Sequence, residues 1–362
     1  MVIDDTVILA TSRKMCTDKL NTVLDYCENY GMMINEKKTK FMVINHTEED
    51  KFQLSTQNKR IEYCEKYLYL GSWFTDDGKQ ESVFKLHEPA LTSTVNKFAI
   101  FCNVNTGMPY CYKSLVMDAA AISSIFYACE TWLSCSPKFA IDTYNKILRI
   151  LLGVRQNTSI DMSLIESGKK PAKSLIKERQ KQFIVKKLEN RDMEEPFQKV
   201  YEICRDMNTP GFRFLQRAMH DNPNDESLEK TANTIRNMPV ERTKFVTYRT
   251  LMNSELNTHA IYGNTTYIPD YIQTSFSRLR LMSHRLRVET GRWSRMDRTR
   301  RVCHCDNSSV QDESHVLLTC TVSAHLRSEF RMLSFVSTKS LFESEDLYSM
   351  SKYIHKVLKL YR

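Results

Sequence analysis

Two carboxylates stand side by side in the segment VIDDTVILA (2–10), where Asp4 and Asp5 lie between apolar residues of strand-forming type. A carboxylate pair at the tip of a strand–turn–strand offers hard oxygen ligands of the kind Mg²⁺ takes. Without a cation the same pair is a solvated turn whose like charges repel. A second constellation is Cys303-x-Cys305, nine residues, His315, four residues, Cys320. Three thiolates and one imidazole suit tetrahedral Zn²⁺. The competing reading is a reduced cysteine pair beside a surface histidine, and His304 competes as the nitrogen ligand. A third feature precedes the cysteines: nine arginines fall between Arg278 and Arg301, against Glu289 and Asp297, and lysine is absent there. The planar guanidinium fork pairs two donors with a phosphate. Trp293 offers a face on which a base could stack, as in single-strand binders. The plain reading is a solvated helix with Trp293 in a local core.

The elements that position these residues follow from periodicity. Residues 2–10 read as strand, turn, strand. A helical stripe of Cys16, Leu20, Val23, Leu24 and Cys27 runs through 14–30, with Ser12 to cap it and Gly31 beyond it. Residues 32–44 read as strand, basic turn, strand. Residues 61–79 read as a hairpin turning at Asp77-Gly78. The period then becomes helical: a buried helix over 114–132, a second started by Ser136-Pro137 and ended by Gly153, then helices around 172–190 and 194–206. DNPNDES (221–227) is the best linker candidate. A helix from about 274 to 289 would pack Leu279, Met282 and Leu286 and present arginines elsewhere, since Arg278, Arg285 and Arg292 are spaced by seven, as are Arg280 and Arg287.

Lys plus Arg is 52 against 43 for Asp plus Glu, a net charge of +9 that favours an anionic partner. No run is long and apolar enough for a membrane span. The eleven scattered cysteines and the missing cationic-then-apolar leader predict a reduced intracellular protein, nuclear or cytoplasmic and not secreted.

The order of segments resembles the reverse transcriptase of non-LTR (LINE-type) retrotransposons. There an aromatic-x-Asp-Asp hairpin, with Val2 here in the aromatic place, is followed by a helix, a Gly-x-x-Ile-Asn-x-x-Lys-Thr-Lys segment and a Tyr-Leu-Gly hairpin. Here these are Val2 to Asp5, Gly31 to Lys40, and Tyr69-Leu70-Gly71. Residues 127–154 look like the thumb helices. QDESHVLLTC (311–320) looks like the end of the carboxy-terminal Cys-Cys-His-Cys motif. The likeness covers residues 1–154 well and 266–322 in part. It implies that Asp4 binds Mg²⁺ in the intact parent enzyme, with Asp5 in support, so that two metal ions clamp the reacting oxygens of nucleotidyl transfer. It implies that Lys38 lies near the incoming triphosphate and that Tyr69, Leu70 and Gly71 steady the primer end. The arginine run itself assigns nucleic-acid contact to Arg278, Arg280, Arg285, Arg287, Arg292 and Trp293, and the spacing, supported by the likeness, assigns zinc to Cys303, Cys305, His315 and Cys320.

The expected fold class is α+β: a truncated palm of short hairpins plus a helix over 1–79, then a helical thumb over 80–155. A helical connection of unassigned role follows over 156–265, an arginine-rich helix with the zinc segment over 266–330, and a helical tail over 331–362. The family's other essential aspartate and its fingers would lie upstream of Met1. The expectation is therefore a fragment of an RNA-directed DNA polymerase that does not polymerise alone and holds an RNA template or target DNA. Two rivals stand: a nucleic-acid-binding module, and the product of a decayed element.

Overall fold

Ser12 opens the first helix, its hydroxyl accepting from the Met15 amide, and α1 runs Arg13–Asn29. Gly31 ends it in the left-handed region at φ 66°, where the Met32 amide returns to the Cys27 carbonyl. The expected stripe faces inward. Leu20 packs with Phe41, Leu54 and Ile61, and Cys16 and Leu24 lie against that cluster. The computed structural model describes residues 5–56, 59–132, 137–189, 195–220 and 227–361. Asp4 and the first arm of the expected Asp-Asp hairpin lie outside them. Residues 5–10 are irregular rather than paired, so no second arm of that hairpin forms there, and Asp5 is exposed.

The chain divides into two compact units, Met1–Ala90 and Leu91–Arg362. In the first, β1 (Lys40–Phe41), β2 (Leu54–Thr56) and β3 (Lys59–Tyr63) form a sheet in the order β1-β3-β2. β1 runs parallel to β3, and β2 antiparallel to it. The expected strand before the basic turn is absent: residues 32–35 are irregular, and the turn at 36–38 closes on the Asn35 carbonyl and side chain. β4 (Lys66–Tyr69) and β5 (Ser72–Thr75) form the expected hairpin, but its tip is Leu70-Gly71, not Asp77-Gly78. Both tip residues have positive φ, 47° and 79°, the sign pattern of a type I′ turn. Asp77 instead opens the next helix. Its carboxylate accepts from the Ser82 hydroxyl, the Lys79 amide and the Thr75 hydroxyl, which together hold it down at about 2. Leucine is ill suited to positive φ, at ~1–2 kcal/mol for a left-handed L-residue, and asparagine tolerates it better. Leu70→Asn is therefore expected to raise the stability of this unit by about 0.5–1 kcal/mol, read as a higher urea midpoint. A lower midpoint would mean that the leucine side chain holds the turn.

α2 (Gln80–Val104) carries the chain into the second unit. α3 (Tyr110–Val116) continues through a wide π turn at Met117–Ile122 into α4 (Ser123–Ile125). Met117, Ala121, Ile122, Ile125 and Phe126 are buried there, as the apolar run demands. The helix stops at left-handed Ala128, short of the expected residue 132. α5 (Lys138–Leu152) buries Tyr144, Ile147, Leu148, Leu151 and Leu152 and ends at Gly153, φ 65°. A Cβ on Gly153 would stand 2.7 Å from the Thr274 hydroxyl, so glycine is demanded there twice over. α6 (Ile160–Ser167), α7 (Ala172–Glu189), α8 (Glu195–Asp206), α9 (Pro210–His220), α10 (Leu228–Arg236) and α11 (Thr243–Thr247) follow. The linker expected at 221–227 falls mostly outside the described residues, and Ser227 caps α10. α12 (Asp270–Arg280), α13 (Arg287–Trp293), α14 (Ala324–Glu329), α15 (Thr338–Phe342) and α16 (Leu347–Leu360) complete the unit, with α12 lying against α16. The fold is thus α+β, with its strands in the first unit and a mostly helical remainder. Among the described residues no helix is long and apolar enough to cross a membrane.

The arginine-rich helix expected over 274–289 is broken. α12 ends at Arg280, Met282 turns left-handed at φ 48°, and the Ser283 amide returns to the Arg278 carbonyl at 2.7 Å. What holds the break is a buried pair: His284 Nε2 meets Glu313 Oε1 at 2.8 Å, and His284 Nδ1 accepts from the Leu286 amide. The seven-residue arginine spacing therefore does not make one face.

Candidate metal centre and basic face

The cysteine segment folds as a small hairpin. Val302 bridges Val310, and the Cys303 amide donates to the Ser309 carbonyl at 2.7 Å. Left-handed Asn307 turns the loop, and the Asp306 carboxylate gathers the Ser308 and Ser309 amides. That turn points Cys303 and Cys305 at a π-helical segment, His315–Thr319, which ends in Cys320. The four donor atoms of Cys303, Cys305, His315 and Cys320 all lie within 4.8 Å of one another. Cys303 Sγ and Cys320 Sγ are 3.6 Å apart, and Cys305 Sγ and His315 Nε2 are 3.2 Å apart. Two thiolates ~2.3 Å from a tetrahedral zinc would lie about 3.8 Å apart, and a thiolate and an imidazole nitrogen about 3.5 Å. The tetrad can hold a metal ion, and its size and donor set fit that test. His304 is exposed and stands outside it.

The surroundings also fit. Cys303 and Cys320 are fully buried. The Tyr361 hydroxyl donates to Cys320 Sγ at 2.9 Å. The Gln311 amide reaches Cys303 Sγ at 3.8 Å, and the Thr319 hydroxyl stands 3.3 Å from His315 Nδ1. Such outer partners orient ligands. Burial, then hydrogen bonds with Cys320 and Cys303, push the Cys305 thiol up to about 12. Three crowded sulfurs ionise together when a cation joins them.

The six residues expected to touch nucleic acid separate. Arg280 is a correction: it is 3% exposed, and Nε and Nη2 embrace Glu166 at 2.5 and 3.2 Å. Its charge is spent inside the core and is closed to a phosphate. Arg287 is half-buried and donates to the Val302 carbonyl. Arg292 is half-buried between Glu289 at 2.9 Å and the Thr243 hydroxyl at 2.9 Å. Arg287 therefore braces the cysteine loop at Val302, and Arg292 ties α13 to α11. Arg278 and Arg285 are exposed, and Trp293 is half-exposed. Arg295 and Arg300 add exposed charge beyond it, while Arg298, also exposed, is paired with Asp312 at 3.0 Å.

Arg155 belongs to the same face and sequence reasoning missed it. It follows the glycine that ends α5, and nothing local marks it. Its guanidinium lies over the Trp293 ring, 4.2 Å from the centroid. Burial and the positive charges of Arg285 and Arg278, opposed by Glu289, hold it below its usual value.

In the first unit, Lys38 is exposed, and its carbonyl accepts from the Tyr67 hydroxyl. Tyr69, Leu70 and Gly71 form the β4–β5 tip, with Tyr69 edge-on to Phe74. No protein-family model, curated protein or solved structure matches the chain.

Proposed function

We propose that this chain serves a reverse transcriptase of the non-LTR retrotransposon type as its nucleic-acid-holding portion, with Cys303, Cys305, His315 and Cys320 on zinc. The observation that carries the reading is the closure of the tetrad in space directly beside exposed arginines. Zinc would fix the Val302–Cys320 loop, and the loop would fix the arginines. Arg278, Arg285, Arg295 and Arg300 would take phosphates. The metal would supply rigidity here rather than chemistry. Asp4 and Asp5 would join a polymerase centre only with carboxylates from another strand, since one pair does not make a two-metal clamp.

The test is binding of a fluorescent single-stranded RNA by the zinc-loaded full chain across a KCl series. Affinity is expected to fall steeply with salt, by a log–log slope of about −0.7 per phosphate contacted. Arg285→Ala should shallow that slope by about 0.7. With a primed RNA template, Mg²⁺ and deoxynucleotides, the same sample is expected to give no extension. Absence of binding at low salt would sink the nucleic-acid reading. Extension abolished by Asp4→Ala would show that these residues complete a polymerase centre by themselves.

A further inference from the structure

Two of the exposed arginines, Arg278 and Arg285, lie near Arg155, and backbone carbonyls tie the three segments together. Arg278 donates from Nε to the Gly153 carbonyl at 2.8 Å, two residues before Arg155. Arg155 in turn donates from Nη2 to the His284 carbonyl at 2.7 Å, beside Arg285. Its own amide is held by the Ser283 hydroxyl at 3.0 Å, which the Thr158 hydroxyl also meets at 3.2 Å. Arg155 is thereby fixed before any ligand arrives, with its flat fork against Trp293. The ring is fixed as well, because it ends α13 next to Arg292, itself anchored on Glu289 and Thr243. Yet Trp293 is still 52% exposed with that face covered. A tryptophan held this way has one face on a cation while half of its surface stays in water, which leaves room for a second flat group.

We infer that Arg155 and Trp293 form a preorganised stacking platform for one unpaired base of a single-stranded nucleic acid, with Arg278 and Arg285 placed for the flanking phosphates. The base would complete a sandwich of guanidinium, indole and base. Every base has a π-face, so the platform would discriminate unpaired from paired strands rather than one sequence from another. Glu289, the acidic group whose charge acts on Arg155, is already shared by Arg292 and Lys244, so the local balance stays positive for an anionic ligand. This inference rests on the nucleic-acid reading above and adds to it a defined platform and a residue from outside the arginine-rich segment.

The experiment compares, on the zinc-loaded full chain, a base-bearing single strand, the same backbone made of abasic residues, and a blunt duplex. RNA and DNA forms of the strand are run in parallel, and a Trp293 effect in either form supports the platform. Trp293→Ala is expected to weaken the base-bearing strand about tenfold or more while leaving abasic and duplex binding within about twofold. Trp293→Phe should retain most of the affinity but lose the quenching of tryptophan emission on binding, which the remaining Trp73 and Trp132 do not report. Arg155→Lys, which keeps charge but not the flat fork, should reduce the preference for base-bearing over abasic strand with the salt slope unchanged. If wild type binds all three probes and Trp293→Ala, folded by its circular dichroism, binds them identically, the platform is overturned while the wider reading stands. If wild type binds none, both fall.

Discussion

Chelating the metal, or replacing Cys303 with serine, is expected to cost the chain its ion and to open the loop from Val302 to Cys320. Metal analysis of wild type should give about one zinc per chain, and Cys303→Ser close to none. The affinity loss should exceed about 100-fold, because removing even an outer partner of a metal ligand costs ~10–100-fold. The loop has little else at its tip. Its backbone bonds are short-range turns around one bridge between Val302 and Val310, and His304, Asp306, Asn307 and Ser308 are all exposed. The base of the loop is better held, through buried Gln311, Glu313, Val316 and Leu317. Hydrogen exchange should therefore rise first at 303–309. It should rise next at the end of α16, where the Tyr361 hydroxyl meets Cys320 Sγ. The Tyr353 hydroxyl, which donates to the Leu317 carbonyl at 2.5 Å, should hold the rest of that helix. The Met1–Ala90 unit should exchange as before. Wild-type protein purified without zinc, or Cys303→Ser with its zinc unchanged, would remove the metal centre and with it the support for the arginine face.

The tetrad was legible in the sequence because cysteines two apart and a histidine five before a cysteine constrain one another at short range, whatever the rest of the chain does. Helix α1 and the glycine stop of α5 were legible for a similar reason, since caps and stripes are local. The arginines were not. Arg280 and Arg285 look alike in one dimension, and what separates them is Glu166, 114 residues away from Arg280. The break at 281–286 was hidden in the same way, because Glu313 lies 29 residues beyond His284. The hairpin tip was misplaced for a different cause. Asp-Gly is a strong turn signal, but Asp77 had a competing use as the acceptor that opens α2, and the register Tyr69↔Ser72 put a leucine where asparagine would be easier. Asp4, the residue on which the polymerase resemblance leans hardest, lies outside the described residues, so its part of the reading rests on the order of sequence motifs alone.

Glu166 and Arg280 should together be the costliest side chains to alter singly in the second unit. Both are almost wholly buried, 0% and 3% exposed. Two parallel hydrogen bonds join them, and Arg280 Nη1 also donates to the Met252 carbonyl at 2.5 Å. The Tyr248 hydroxyl donates to Glu166 at 2.9 Å. The guanidinium lies 5.1 Å from the Phe342 ring centroid and 5.6 Å from that of Phe276. Burial alone would push the Arg280 guanidinium down, but the Glu166 carboxylate overrides it and holds it above its ordinary value. Two charges taken out of water are expensive, and their attraction repays that cost while both are present. Glu166→Gln or Arg280→Met alone leaves one charge buried without its partner, and each is expected to destabilise the unit by ~3–5 kcal/mol. Against a total of ~5–15 kcal/mol for a typical domain, either change brings it close to unfolding. The double variant removes both charges, and the amide oxygen that Glu166→Gln introduces would still accept from the Tyr248 hydroxyl. It should therefore be more stable than the sum of the singles predicts by about 2 kcal/mol or more. Urea unfolding of the four proteins at one fixed zinc concentration measures that difference. Single-variant losses that add within ~0.5 kcal/mol would mean that the two side chains contribute independently. A large coupling would fix the opposite: of the nine arginines in that run, this one was drawn inward to hold α12 to α6, and the phosphate-facing work is left to its neighbours.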